Sequence, residues 1–355
     1  MEQLFYFDAR FLKDFLSFIA KFYSLFVPIA KEDDYSYCLF KDSLEPLYNK
    51  YRFLEPAKTL IIPDKEAIDS LELSKEKPKA IFTAKNCDLN ALEVQDFIFL
   101  GRPPKFGCQD EAATLLEDSV YRERRKNLLI ISGDCNAYKE VCWCLGVGIK
   151  PYPESGFDIN LSPIDAGFIV EIATQKGEDA INRFKNRMVL ANASQIAKRN
   201  QSRQDLIFSM EQSLAMLHPC PVDKLSQTVK NSYDSNSWNE FMLTCVECGG
   251  CNFICDTCHC FLLADEKQPS ANKRFKLWDA CLFANFAKVA GGANPLDTRT
   301  KRLRNRYLKK FDFFPDNMGK IACCGCGRCI EVCPGKIDIR KILKQLYQEL
   351  ISENK

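Results

Sequence analysis

Apolar and polar positions along the first 190 residues follow two periods, which predict a domain of mixed helices and strands. Between residues 11 and 26 the apolar positions recur at helical spacing and cover a broad face, which predicts a helix packed against its own domain. Short apolar runs predict buried strands, and the mixed segments between them predict helices. The strands are expected at 59–63, 79–83, 127–133 and 167–172, and the helices at 88–100 and 111–124.

The pattern changes in the second half of the chain. Residues 191–240 are more polar and predict a helical connector, and strand signals are scarce from Cys245 onward. A closing helix is expected over 338–350. The sequence therefore predicts an α+β protein, with an N-terminal α/β domain over 1–190 and a mostly helical domain over 241–355.

The N-terminal region lacks the pattern of a membrane span or a cleavable signal. Its longest uncharged run, residues 22–30, contains Pro28, whereas a spanning helix needs about 20 apolar residues. The polar side of the helix expected at 11–26 is not basic, which disfavours binding to a membrane surface. We expect a cytoplasmic chain without a membrane span.

Composition adds a strong cysteine signal to this picture. The 355 residues include 49 basic and 47 acidic side chains, and the net charge of +2 predicts no general attraction to nucleic acid or anionic lipid. Of 19 cysteines, six fall at 245–260 and five at 323–333. A secreted disulfide scaffold spreads an even number of cysteines through a short chain. Crowded thiols in a long chain instead indicate metal ligands in a reducing compartment.

One cysteine motif occurs twice. The spacing C-x2-C-x2-C-x3-C covers 245–255 and recurs at 323–333, where proline follows the last cysteine. Three cysteines of such a loop can reach three irons of a [4Fe–4S] cube, and the fourth ligates the other cluster in two-cluster ferredoxins. The resulting assignment is cluster 1 on Cys245, Cys248, Cys251 and Cys333, and cluster 2 on Cys323, Cys326, Cys329 and Cys255.

Zinc is the alternative occupant of these motifs. Zinc sites usually take two C-x2-C pairs separated by a longer loop, which gives four ligands in all. Two complete four-cysteine runs, one of them followed by proline, favour iron–sulfur clusters.

Seven further cysteines form two candidate groups, four in the N-terminal domain and three after the first motif: Cys87, Cys135, Cys142 and Cys144, then Cys258, Cys260 and Cys281. The first group could hold a third cluster, because a C-W-C sequence followed by two glycines is unusual for packing alone. The second group could form part of another site. Burial in a core is the alternative for both, since free cysteine is among the most buried residue types. Cys38, Cys108, Cys220 and Cys324 have no predicted role.

Residues 298–310 carry seven basic side chains. Such a run is typical of nucleic-acid binding, but the near-neutral chain and the position between two cluster motifs favour other roles. These side chains could stabilise anionic clusters, raise their reduction potentials or dock an acidic partner. A solvated helix face is an equal alternative.

The sequence contains no motif for a common organic cofactor. No G-x-G-x-x-G opens a helix, and no G-x-x-x-x-G-K-[ST] loop is present, so no ordinary nicotinamide, flavin or nucleotide site is predicted. Only His218 and His259 are available as histidine proton donors. The chain is therefore predicted to relay electrons within an oxidoreductase complex and not to be catalytic alone.

A specific order of segments carries a family resemblance: N-C-D-L-N-A-L at 86–92, C-W-C-L-G-V-G at 142–148, the block 245–260, W-D-A-C at 278–281, A-G-G-A-N at 290–294, the arginines at 302, 304 and 306, and the closing motif 323–339. Together they resemble the ferredoxin-like subunit of anaerobic sulfite reductase and the related beta subunit of cytosolic nickel–iron (sulf)hydrogenases, over roughly residues 57–345. This family commonly has proline where Asp256 stands and often histidine where Ala293 stands.

The resemblance implies a dicluster ferredoxin-type subunit, with residues 241–355 as a helical ferredoxin-like domain. A flavoprotein subunit would exchange electrons with a nicotinamide, and this chain would pass them to a catalytic subunit that holds siroheme or nickel–iron. The ferredoxin-like subunit of anaerobic sulfite reductase is the leading interpretation. The hydrogenase beta subunit is the alternative, in which electrons could flow backward.

Overall fold

The computed structural model describes residues 3–31, 34–48, 50–68, 77–101, 117–217, 220–267 and 272–353. Cys108, His218 and the first part of the helix expected at 111–124 lie outside these ranges. Strands and helices alternate in the N-terminal half of the described chain, and helices dominate the C-terminal half. This is the α+β class that the sequence predicts.

The described strands form one sheet of eight and one of three. Their bounds are β1 Phe5–Asp8, β2 Ser24–Lys31, β3 Asp34–Leu39, β4 Lys65–Ala67, β5 Lys79–Ala84, β6 Leu129–Gly133, β7 Ile159–Ile164, β8 Gly167–Ile172, β9 Met188–Leu190, β10 Phe261–Lys267 and β11 Asn272–Trp278. The large sheet has the order β3-β2-β5-β6-β7-β8-β1-β9, and the small sheet has the order β10-β11-β4. Strands β2, β5, β6 and β7 are parallel, and the flanking strands are antiparallel.

The α-helices of the described chain are α1 Leu12–Phe22, α2 Asn86–Phe99, α3 Ser119–Asn127, α4 Gln175–Ile181, α5 Ala193–Leu217, α6 Leu225–Asn231, α7 Ser237–Met242, α8 Gly250–Phe253, α9 Arg299–Leu308, α10 Phe314–Met318, α11 Arg328–Glu331 and α12 Ile339–Glu353. A π-helical turn, Lys309–Phe313, joins α9 to α10. None of these helices combines the length and apolarity needed to cross a membrane.

Both faces of the central parallel strands are buried. Successive side chains of a strand point to opposite faces, so Phe82 and Ile131 pack into a core with α1, whereas Ile81 and Ile130 pack into a core with α2. Parallel strands covered on both faces appear as continuous apolar runs. The sequence predicted β5, β6 and β8 from such runs, and all three are confirmed.

Two N-terminal segments differ from the sequence expectation. Residues 59–63 are not a strand, because a 3-10 turn occupies Ala57–Leu60 and the hydroxyl of Thr59 donates to the carbonyl of Pro56 over 2.9 Å. The helix expected over 11–26 ends at Phe22, and the following residues form β2. Strand β2 pairs with β5. Leu25 and Val27 alternate along β2 and are both buried in the same core.

A hairpin lies between the two cysteine motifs, where few strands were expected. Strands β10 and β11 are mostly exposed and mix charged with apolar residues, so no continuous buried apolar run marks them in the sequence. Phe275 of β11 pairs with Ala67 of β4. The segment between the motifs therefore extends a sheet that begins in the N-terminal half of the chain.

The C-terminal helices surround one apolar core. Trp238 of α7 is fully buried and meets Tyr307 of α9 edge to face, with ring centroids 5.3 Å apart. Leu343 and Leu346 of α12 are buried in the same core, which confirms the closing helix predicted from the sequence. This core supports the two cysteine loops, since Ile339 lines the cavities beside both of them.

Candidate iron–sulfur centres

The first of two thiol-lined cavities lies beside the first cysteine motif. The thiols on its lining are Cys245, Cys248, Cys251, Cys329 and Cys333. Cys248 is exposed, and the others are partly buried. Cys333, the last cysteine of the second motif, thus lies with the loop of the first.

The second cavity lies beside the second motif and deeper in the molecule. The thiols on its lining are Cys87, Cys255, Cys323, Cys324, Cys326 and Cys329. Cys255, the last cysteine of the first motif, lies with the loop of the second. The two motifs therefore exchange their last cysteines between neighbouring cavities, and Cys329 borders both.

Matching glycines shape the two loops. Gly249 precedes α8 and Gly327 precedes α11, and both have positive φ, +70° and +74°. A Cβ atom at Gly249 would lie 2.8 Å from the ring of Phe283, and one at Gly327 would lie under 3.0 Å from the carbonyl of Val141. Both positions need glycine for its left-handed backbone and for its lack of a side chain.

Backbone amides point at two of the sulfurs in the first cavity. The amide of Glu247 donates to Cys245 Sγ, and the amide of Ile337 donates to Cys333 Sγ, each over 3.4 Å. Hydrogen bonds to the sulfurs stabilise the anionic form and help to set the potential of an iron–sulfur cluster. The loops thus supply amide donors as well as thiols.

Two buried cations lie among the thiols. Arg306 lines both cavities, and its Nε has no hydrogen-bond partner among the described residues. Lys310 donates to Cys255 Sγ over 3.4 Å and to Thr257 Oγ1 over 2.7 Å. Burial by itself lowers the pKa of each cation, but the nearby thiols Cys251 and Cys255 outweigh it and raise the pKa of Arg306 and Lys310 overall. Both side chains are placed to offset negative charge in the cavities.

The basic run at 298–310 is therefore not only a solvated helix face. Arg302, Arg306 and Lys310 are 2%, 5% and 5% exposed, and their spacing of four residues puts them on one side of α9 and its π-helical continuation. Arg302 forms an ion pair with Glu247 of the first cysteine loop. The inward side of the run faces the cysteines.

Burial raises the pKa of several of the motif thiols. The pKa of Cys251 and that of Cys323 rise to about 12, and that of Cys326 rises to about 11. Such thiols hold their protons at neutral pH, so a bound metal must displace those protons. At least four thiols beside each cavity, amide donors at the first and a shared buried cation match the requirements of [4Fe–4S] clusters. Among the described residues, no three His, Cys, Asp or Glu side chains are grouped as a single metal ion would need.

The N-terminal cysteines converge beside the second cavity. Cys87 packs against Cys324 and Cys326, and the thiol of Cys142 lies 3.9 Å from the carbonyl of Cys326. Burial, opposed by Lys85 and assisted by the neighbouring Cys142, raises the pKa of Cys135 to about 12.

A buried cation accompanies this N-terminal group. Lys85 is fully buried, and its Nζ donates to the carbonyl of Asp134 over 2.8 Å. Burial lowers the pKa of Lys85, while Cys135 raises it. Cys144 is also buried, with Cys135 and Cys142 among the groups that raise its pKa. Cys135 is therefore near Cys142 and Cys144, and Cys87 and Cys135 are near Lys85.

The thiols after the first motif gather around Asn252 of α8. The amide of Asn252 donates to Cys281 Sγ over 3.2 Å and to Cys258 Sγ over 3.7 Å. A hydrogen bond between Cys260 and Cys281 lowers the pKa of Cys281 to about 6. These three thiols are therefore neighbours, as the sequence allowed.

The cysteines without a predicted role lie in different places. Cys220 packs in the helical core and shares a hydrogen bond with Thr228 over 3.4 Å. Cys38 lies on β3, and Cys324 is buried against Cys87.

Sequence reasoning missed a buried ion network that joins the second loop to the N-terminal half. Arg328 lies between two motif cysteines, is fully buried, and pairs with Asp88 over 2.7 Å and with Asp256 over 2.8 Å. Its Nε also donates to the carbonyl of Phe53. The available signal was Asp256 itself, because an acidic residue replaces the proline common in the resembling family and so needs a cation nearby.

A second missed arginine touches the same loop. Arg52 is 2% exposed, donates to the carbonyl of Cys326 over 2.7 Å and pairs with Glu331 over 2.6 Å. Nothing in the sequence around residue 52 marks it, because its partners lie more than 270 residues away.

Comparison with known proteins agrees with this geometry. Residues 244–337 match the 4Fe-4S dicluster domain family. The chain is also 27% identical over 318 residues to sulfhydrogenase 2 subunit beta of Pyrococcus furiosus, which covers 87% of this chain and 88% of that protein. The family resemblance drawn from the motifs is thereby confirmed: residues 244–337 match a 4Fe-4S dicluster domain, and the chain is similar over most of its length to a sulfhydrogenase beta subunit.

Proposed function

We propose that this chain is the iron–sulfur relay subunit of a heteromeric oxidoreductase and that its catalytic partner is a nickel–iron (sulf)hydrogenase subunit. The observation that carries the proposal is the pair of adjacent thiol-lined cavities, which share Cys329 and Arg306. Clusters held there would be close neighbours, as electron transfer between them requires. The similarity to a sulfhydrogenase beta subunit favours the hydrogenase interpretation over the sulfite reductase interpretation.

The proposed ligands follow the exchange between the motifs. Cluster 1 is held by Cys245, Cys248, Cys251 and Cys333, and cluster 2 by Cys323, Cys326, Cys329 and Cys255. Each [4Fe–4S] cluster supplies one-electron redox chemistry when bound. The protein holds the thiolates, donates amides to the sulfurs and offsets the negative charge with Arg306 and Lys310.

A third cluster is proposed on the N-terminal group Cys87, Cys135, Cys142 and Cys144. The electrostatic proximity of these thiols to one another and the buried Lys85 as a charge partner support this proposal. The contact between Cys142 and the second loop supports a path from this group to cluster 2. Cys258, Cys260 and Cys281 offer only three thiols, so they stay a weaker candidate.

The cluster count is tested by iron and acid-labile sulfide analysis of the anaerobically purified chain. Two clusters predict about eight irons per chain, and a third raises the number to about twelve, from four irons per cube. The double variant Cys142→Ser/Cys144→Ser should lower the iron content from about twelve to about eight per chain, from four irons per cube. Cys38→Ser on β3 should leave the iron content unchanged. Two or fewer irons in the wild type would disprove the relay function.

The catalytic partner is tested by anaerobic isolation of the native complex through a tag on this chain. A hydrogenase partner predicts nickel in the complex and bleaching of the cluster absorption when hydrogen is added. A flavoprotein subunit linked to a nicotinamide is expected in the same complex. Siroheme absorption without nickel would instead establish the sulfite reductase interpretation.

A further inference from the structure

The edge of the first cysteine loop is exposed to solvent around one of its thiols. Cys248 is exposed, and Leu243 and Val246 beside it are 77% and 64% exposed. Val246, Cys248 and Pro334 all border the first cavity. The exposed residues Leu243, Val246, Cys248, Pro334 and Lys336 are called the Cys248 face below.

Direct contacts join the two halves of this face. The hydroxyl of Thr244 donates to the carbonyl of Gly335 over 2.8 Å. A Cβ atom at Gly335 would overlap the carbonyl of Thr244. Segments 243–248 and 333–336 therefore form one continuous surface over the first cavity.

The equivalent edge of the second loop is covered. When the two motifs are aligned, Cys324 takes the place of Val246, yet it is only 5% exposed. The amide of Trp143 donates to the carbonyl of Gly325 over 2.8 Å, and Arg52 covers the next cysteine. The N-terminal domain thus covers the edge of the second loop, whereas the equivalent edge of the first loop is exposed.

The rim of the Cys248 face is positively charged. Lys336 is exposed, and Arg299 donates to a loop carbonyl over 2.8 Å; among the described residues, neither forms an ion pair. Two acidic residues near this face, Glu247 and Asp297, are each neutralised by a basic partner. An apolar centre with an unpaired basic rim suits a partner of opposite charge.

We propose that the Cys248 face is the docking surface for a redox protein subunit whose contact surface is apolar at its centre and acidic at its rim. The inference rests on the proposed relay function and adds the surface at which electrons leave or enter the chain. Electrons pass between cluster 1 and the partner across this face, because Cys248 is the motif cysteine that reaches the surface.

The test compares Val246→Glu with Val189→Glu, which introduces the same charge at a 61% exposed valine on β9. Both tagged variants are purified anaerobically in the native complex. Val246→Glu should keep the iron of the wild type but lose at least tenfold of the co-purifying redox subunits. Lys336→Glu should weaken the complex and reduce the dependence of its dissociation on salt, because one attractive charge is reversed.

The outcomes separate this surface from the relay function. If Val246→Glu kept the same subunits as Val189→Glu, the docking surface would be wrong while the relay function stood. If Val246→Glu lost iron, Lys336→Glu would decide, since it leaves the lining of the cavity in place. Self-association of the wild type that disappears in Val246→Glu would overturn the proposal in favour of a second copy. A wild-type chain that holds iron but purifies without any redox subunit would overturn the relay function, and this surface with it.

Discussion

The two cysteine loops have the same backbone and opposite surroundings. Glu247 and Gly325 occupy equivalent positions with φ of 57° and 60°, and Gly249 and Gly327 do so with φ of 70° and 74°. The first loop, however, lies at the surface, whereas the N-terminal half of the chain covers the second. A shared motif therefore fixes the local geometry of the thiols and leaves their environment to the rest of the sequence.

The residues that differ between the loops account for the difference in environment. Arg328 of the second loop stands where the first has Gly250, and Asp256 after the first motif stands where the second has Pro334. Arg328 and Asp256 pair with each other inside the molecule. Two of the positions at which the motifs differ thus help to lock the second loop against the N-terminal half.

The largest effect is expected from breaking the exchange of cysteines between the loops. Cys333→Ser should remove cluster 1 and about four irons, because its thiol lies with the first loop. The spectrum of the variant, measured by electron paramagnetic resonance after reduction, should match that of Cys248→Ser.

The matched comparison is Cys255→Ser, which should have the spectrum of Cys326→Ser. Ligation of each cluster by its own motif alone would pair the variants the other way, Cys333→Ser with Cys326→Ser. That result would disprove the crossed ligand sets and leave the proposed number of clusters unchanged.

The next effect concerns the lock on the second loop. Arg328→Met leaves the carboxylates of Asp88 and Asp256 buried without their cation. Removing one partner of a buried ion pair costs about 3–5 kcal/mol, so the free energy of unfolding of the iron-loaded chain should fall by that amount in a denaturant titration. Arg304→Met removes a more exposed arginine that stacks on Tyr233 and should cost only about 0.5–1 kcal/mol. Equal losses in both variants would contradict the role of the network.

A smaller difference is expected between the two capping glycines. A left-handed backbone costs a residue with a side chain about 1–2 kcal/mol, so Gly249→Ala and Gly327→Ala share that loss. Gly327→Ala should cost more, because its Cβ atom meets the backbone of Val141, whereas Gly249→Ala meets the ring of Phe283, which can move. Gly292→Ala gives the conformational cost alone, since the described residues leave its surroundings open. Thermal unfolding should rank the losses in the order Gly327→Ala, Gly249→Ala and Gly292→Ala.

The features that the sequence predicted are those with a local signature. The cysteine spacing, the runs of β5 and β6 and the amphipathic α12 are each contained in a short stretch of chain. Residues between two ligands share a loop whatever the rest of the molecule does, so the grouping of thiols within each motif could be anticipated. The same holds for C-W-C at 142–144, which pointed to the N-terminal thiol group.

The features that the sequence did not predict depend on distant partners. Arg328 and Asp88 are separated by 240 positions, and β11 pairs with β4 across about 200 residues. The hairpin is mostly exposed, and its short apolar stretches are not continuous buried runs. The sequence left the basic run open between a role at the clusters, docking of an acidic partner and a solvated helix face, because composition does not tell which side of α9 turns inward.

The smallest expected effect concerns the cation between the clusters, because it changes the potentials and leaves the ligands in place. Arg306→Met removes a buried positive charge that borders both cavities. The reduced clusters are more negative than the oxidised ones, so the potentials of both should fall, on the order of 50–100 mV, in a titration followed by electron paramagnetic resonance. Arg306→Lys keeps the charge and should restore most of the potential. Arg306 lies between the clusters, so both potentials are expected to fall. If only the potential of cluster 2 fell, solvent would control the potential of cluster 1 at the exposed first loop. The two loops would then differ in electrostatics as well as in burial.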